Sequence, residues 1–166
     1  MSGKIRGAQP PHSGYKTEIV RVKSTNIQSY TCISTAVFGQ DIHWFGNRSH
    51  ECSKAISECN GCLRGWPVKW KGYIHCQDWQ SKMALVFVEF TASAVEKLLA
   101  SIPERETLRG AILQICKTKG GAKGRYVVNV LPRVVPDIEL PKEEDPYPIL
   151  CFLWRCKNVN YTPNQE

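Results

Sequence analysis

No apolar run in the sequence approaches the roughly 18 residues needed to span a bilayer. The first residues, Met1-Ser2-Gly3-Lys4-Ile5-Arg6, also lack the apolar stretch of a signal peptide. These absences predict a protein without a membrane partner, kept in a reducing, cytoplasmic compartment. A phosphate-cradling G-x-x-x-x-G-K-[ST] order is missing as well. The one glycine-rich basic stretch, 118–124, joins two strand-like runs, and no helix follows it. Zinc deaminases need His-x-Glu and Pro-Cys-x-x-Cys; here His50 is followed directly by Glu51, and Glu58 stands before Cys59. Cys76 beside His75 does not make a nucleophile pair, because neighbours on a strand point to opposite faces. No internal repeat is visible. The expectation is a protein that is not an enzyme.

What the chain does have is cysteine and positive charge. Its 166 residues suit one domain with tails, and 42% apolar content is enough to fill a barrel or sandwich. Residues 1–135 carry a net charge of +10 and residues 136–166 a net charge of −3. A basic body with an acidic tail points to a polyanionic partner for the body. Eight cysteines in a reducing compartment point to metal rather than disulfides. Cys32 and Cys116, in apolar strand-like runs, read as inert core thiols.

Residues 1–15 are rich in Gly, Pro and Ser and read as a flexible basic arm. Residues 16–135 read as the folded domain, and 136–166 as a Pro-rich acidic linker and C-terminal tail. Within the domain, Thr17–Lys23, Tyr30–Phe38, Val68–His75, Met83–Phe90, Ala111–Lys117 and Arg125–Leu131 carry strand patterns. Val95, Leu98, Leu99 and Ile102 form a helical stripe, capped by Ser93 or Thr91 and stopped by Pro103. A helix placed before the last two strands predicts a mainly β fold. The specific expectation is a five-stranded Greek-key barrel of the oligonucleotide-binding (OB) type with one short helix.

A structural zinc loop is expected over residues 43–66, inserted into that barrel. Cys59-Asn60-Gly61-Cys62 is a C-x-x-C knuckle whose turn aims two sulfurs at one ion, with Gly61 allowing a tight backbone. Cys52 is close enough to reach the same ion. The fourth ligand is His43 or His50; His43 is favoured because it sits at a probable strand end beside Trp44. Three thiolates and an imidazole select zinc over harder cations. Four protein ligands leave no open position for a water, so the single ion is structural.

Just beyond the knuckle lie Arg64, Trp66, Lys69, Lys71 and Tyr73. Alternation puts Lys69, Lys71, Tyr73 and His75 on one strand face, and Val68, Trp70 and Ile74 on the other. Cations beside a ring suit single-stranded nucleic acid: each base stack is worth on the order of 1–3 kcal/mol and is indifferent to sequence. Trp66 is a second stacking candidate or a lid over the knuckle. Trp70 belongs to the core, Trp44 and Phe45 read as packing, and Trp79 is a weaker surface candidate. A second basic group comprises Lys117, Lys119, Lys123 and Arg125, with Tyr126 following. Arg105 and Arg109 extend the track.

A His, a Cys and a C-x-x-C inserted into an OB-type barrel, followed by a basic aromatic strand, resembles the helix-destabilising single-stranded-DNA-binding proteins of large tailed phages. The resemblance spans roughly residues 30–131. It implies a non-enzymatic single-stranded-DNA-binding protein of DNA replication, recombination or repair. It further implies that His43, Cys52, Cys59 and Cys62 hold the metal, with Lys69, Lys71 and Tyr73 near the DNA cleft. The acidic tail resembles the segments through which such proteins recruit protein partners. RNA is the alternative ligand. A zinc-braced protein-interaction module, using 152–154 and the knuckle, is the alternative from another class.

Overall fold

A computed structural model describes residues 18–46, 48–52, 59–104, 107–119, 126–131 and 134–145. The expected arm 1–15, the loop-tip residues Lys123 and Arg125, Arg105, and the aromatic run 149–154 lie outside them. Among the described residues, eight strands form one sheet. They are β1 (Glu18–Arg21), β2 (Gln28–Cys32), β3 (Phe38–Phe45), β4 (Arg48–Glu51), β5 (Lys69–Asp78), β6 (Ala84–Thr91), β7 (Ile112–Lys117) and β8 (Tyr126–Leu131). The helices are α1 (Asn60–Leu63) and α2 (Ala92–Ala100). None is long and apolar enough to cross a membrane.

The expected five strands are therefore eight, and the sheet's ladder is not closed. Its main path runs β1-β6-β5-β2-β7-β8, with β3 pairing β5 and β4. β5 is the hub. Along one edge it pairs antiparallel with β6; along the other, its first half pairs with β3 and its last residues with β2. β1 joins β6 in parallel.

The run Tyr30–Phe38, expected as one strand, is split into β2 and β3. The physical reason lies at Ser34. The Ile33 and Ser34 amides both donate to the His75 carbonyl, at 2.8 and 3.2 Å, and the Ser34 hydroxyl accepts from the His75 amide at 3.1 Å. A side chain thus takes the donor that a ladder partner would have used, and the chain changes course.

Alternation then builds the core. Val20 and Val22, Tyr30 and Cys32, Ile74 and Cys76, Val86, Val88 and Phe90, Leu113 and Ile115, and Val130 enter one cluster with Ala94, Val95 and Leu98 of α2. Strands from opposite ends of the path meet in this cluster, so the sheet curls around it. The Lys117 amide, at the end of β7, donates to the Ser24 carbonyl beyond β1 at 2.8 Å. Trp70 packs on this cluster as expected. Its ring lies over Gly39, where an added Cβ would stand 2.1 Å from it.

Thr91 caps α2, its hydroxyl accepting from the Ala94 amide at 3.4 Å. Such a cap is worth about 1 kcal/mol. Val95 and Leu98 are buried, whereas Leu99 of the expected stripe is exposed.

Residues 134–145, read as linker, lie along the body. Arg109 holds them: it donates to the Ile33 carbonyl at 2.7 Å and the Pro141 carbonyl at 2.9 Å, and pairs with Asp137. The Thr35 amide donates to Glu143 at 3.2 Å, and the Glu144 amide to His75 Nδ1 at 3.3 Å. Arg109, expected to extend a nucleic-acid track, is engaged inside the fold.

Candidate metal centre

His43, Cys52, Cys59 and Cys62 come together in one cluster whose ligand atoms all lie within 4.8 Å of one another. They arrive from three places in the fold. His43 sits near the end of β3 and is fully buried. Its Nδ1 lies 3.2 Å from the Pro67 carbonyl, to which a protonated Nδ1 donates. That tautomer leaves Nε2 as a lone-pair donor, 3.5 Å from Cys62 Sγ. Cys52 follows β4, its amide donating to the Asp41 carbonyl at 2.9 Å. Cys59 and Cys62 flank the first turn of α1, fixed by the Leu63 amide on the Cys59 carbonyl at 2.9 Å and the Trp66 amide on the Gly61 carbonyl at 2.9 Å. The Cys52–Cys62 sulfur separation is 3.6 Å and the Cys52–Cys59 separation 4.0 Å.

Gly61 is required for a reason other than the expected tight turn. A Cβ there would stand 2.2 Å from the His43 ring, so glycine lets the imidazole lie against the knuckle backbone. His50, the alternative ligand, is the cross-strand partner of His43 but turns elsewhere. Its Nε2 lies 3.1 Å from the Phe45 carbonyl, and its ring stacks on Phe45 with centroids 3.5 Å apart.

The cluster can hold a metal ion. The Cys62 thiol is pushed up to about 12, first by its hydrogen bond with Cys52, then by burial and by Cys59. Crowded sulfurs resist ionising beside one another; a divalent cation among them reverses that preference.

The basic aromatic surface is only partly as expected. Tyr73 is fully buried, and its hydroxyl donates to Glu89 at 3.1 Å, so no base can stack on it. Lys71 is committed to the same carboxylate at 2.8 Å, which also takes Arg21 at 2.9 Å. The strand alternates as expected, but the face opposite Trp70 is itself interior in its middle. A period of two assigns faces without saying which one water reaches.

Trp66 is half-buried, tilted against Phe45 at 4.2 Å between centroids, with the Arg64 guanidinium 5.1 Å above its ring. Its ring is thus partly covered by Phe45 and Arg64. Arg64, Lys69 and Lys119 are exposed. Lys117 stands 5.9 Å from the Tyr126 ring, and Tyr126 packs against the core.

Trp44 was read as packing, yet it is 53% exposed. Leu63 and Val68, around the end of the knuckle, are exposed too. No signal in the sequence marks it: alternation turns Trp44 away from the face of His43, but Ile42, on the same face as Trp44, is buried. Of the other thiols, Cys32 and Cys76 are buried cross-strand partners, and Cys116 is only partly buried. Compared with protein families, curated proteins and solved structures, the chain has no match.

Proposed function

We propose that the chain is a non-enzymatic binder of single-stranded nucleic acid, with DNA the first choice, whose contact surface is braced by one structural zinc ion. The observation that carries this reading is the exposed Trp44 ring next to the buried His43, with Arg64, just after α1, and Lys69, at the start of β5, exposed as well. Ile42, two residues before Trp44, pairs with Lys69 across the sheet. A stacking ring and cations on a metal-stiffened backbone suit unpaired bases and their phosphates.

Zinc is supported by the donor set and its spacing. Tetrahedral zinc with bonds of about 2.3 Å to sulfur and about 2.0 Å to nitrogen has ligand edges of roughly 3.8 Å between sulfurs and 3.5 Å from nitrogen to sulfur. The separations of 3.6, 4.0 and 3.5 Å lie close to these. Four protein ligands would leave no position for a reacting water, which supports a structural role.

The OB-type reading is supported by strand order. With the β3–β4 excursion set aside as an insertion, the spatial order β7-β2-β5-β6 is compatible with a Greek key's fourth, first, second, third, with α2 in the long connection. A role in replication, recombination or repair follows the resemblance in ligand order. The test is tryptophan fluorescence titrated with single-stranded DNA, duplex and RNA at two salt concentrations, with zinc assayed on the same sample. Preferential, salt-sensitive binding to the single strand is expected. Absence of binding in dilute buffer overturns the reading.

A second reading is a zinc-braced protein-interaction module. The exposure of Leu63, which follows Cys62, of Val68 and of Trp44, which follows His43, favours it, because exposed apolar side chains also suit a protein partner.

A further inference from the structure

Away from the metal lobe, β1, β2, β5 and β6 border a cavity of about 410 Å³ that the proposed nucleic-acid contact does not use. Its character follows from the side-chain series that lines it. Glu18, Val20 and Val22 are alternate residues of the first strand and its extension, and all three line the cavity. Val20 and Val22 continue into the core cluster. Glu18 therefore puts a carboxylate where the series is otherwise apolar. Its Oε1 is buried and, among the described residues, has no hydrogen-bond partner. Leaving a buried acceptor without a donor costs about 1–3 kcal/mol, and more for a charged one.

Asp78, at the far end of β5, also lines the cavity and is 5% exposed. Its Oδ1 accepts from the Gln80 amide at 2.9 Å and from Gln80 Nε2 at 2.7 Å, which hold the carboxylate in place. Tyr30 adds a buried ring whose hydroxyl burial and Asp78 keep protonated. Val86 completes an apolar wall. Two cations also border the space. Arg21, in the opposite side-chain series of β1, has its guanidinium on Glu89, and Lys23 is exposed to solvent. The volume is far above the roughly 30 Å³ share of one water and within the about 300–1,000 Å³ range of small-ligand pockets.

We propose that this cavity binds an ammonium or guanidinium group carried on an aliphatic stem. Glu18 takes an N–H of the cation, Asp78 adds its negative charge, and Val20, Val22 and Val86 pack the stem. The cation comes either from a free diamine or from a lysine or arginine side chain of a partner. The site is independent of the nucleic-acid reading.

The experiment is calorimetric titration of the full, metal-loaded chain with cadaverine, with the amide of acetylated lysine, and with pentanol as the uncharged stem. The methyl resonances of Val20, Val22 and Val86 are followed in parallel. At least one amine is expected to bind and shift those methyls, while pentanol does not. Glu18→Gln is expected to weaken binding by about tenfold or more while the unfolding temperature holds or rises. Val86→Phe, which puts a ring into the space meant for the stem and leaves both carboxylates in the chain, is expected to weaken it. Tighter binding of cadaverine assigns the free amine; tighter binding of the lysine derivative assigns a partner's side chain. Failure of both amines to bind, or equal binding by Glu18→Gln, overturns the proposal.

Discussion

The lobe formed by β3, β4 and α1 and the curled sheet with α2 hold together by different means. The sheet gathers apolar side chains from six strands and a helix into one cluster. At burial worth roughly 1.5–3 kcal/mol per large aliphatic side chain, that cluster accounts for its own order. The lobe leaves Trp44, Leu63 and Val68 exposed and turns His43, Cys52 and Cys59 inward instead. Apart from Ile42, the side chains it buries carry donor atoms that could hold a metal ion. One chain thus contains a region stabilised by apolar burial and a region whose buried donor atoms could hold a metal ion.

The sharpest way to break this comparison is to remove the metal. Structural zinc sites are worth about 10–16 kcal/mol in small metallo-peptides. Chelation, or Cys59→Ser, is expected to abolish amide-exchange protection across β3, β4 and α1 while α2 and β6–β8 keep theirs. Unchanged protection in the lobe would remove the coordination argument. The reciprocal change is Leu98→Ala, expected to lower global stability by about 2–5 kcal/mol in a denaturant titration. The released-zinc assay should be unmoved under native conditions. Zinc loss there would mean that the two regions are not separately held.

A pH titration sharpens the comparison within the sheet. Burial holds His75 below its ordinary 6.5, with Arg109 acting in the same direction and Glu144 opposing. The unfolded chain therefore binds this proton first. The associated stability is fully present above pH 6.5 and is lost as the pH falls below it. His75→Gln is expected to flatten the fall in melting temperature between neutral and mildly acidic pH. An identical fall in both proteins would assign it to the metal ligands.

The smallest effect expected is at the surface. Lys69→Ala should reduce the logarithmic salt slope of single-strand binding by about 0.7, one phosphate's worth. Lys71→Ala should leave the slope unchanged, because its ammonium is already paired with Glu89. Equal effects of the two would restore the expected three-residue face.

Local chemistry was the legible part. Thiol and imidazole spacing marked the cluster that could hold a metal ion, and the apolar stripe with its Thr91 or Ser93 cap marked α2. The knuckle's glycine was legible as a requirement, though its cause, the His43 ring, was not. The fate of Tyr73 was hidden because alternation separates faces but does not reveal that this sheet buries much of both. The break at Ser34 was hidden because a hydroxyl replacing a ladder acceptor leaves no mark in hydropathy.

By itself, then, the sequence determined the donor set, the basic body, the β-rich character and the position of the helix, since each depends on residue type and short spacing. Tertiary structure alone decided which histidine faces the sulfurs, which lysine meets water, that residues 134–145 are clasped by Arg109, and that Glu18 borders a cavity. Those outcomes depend on what packs against each side chain from elements far away in the chain, and short-range spacing carries no record of it.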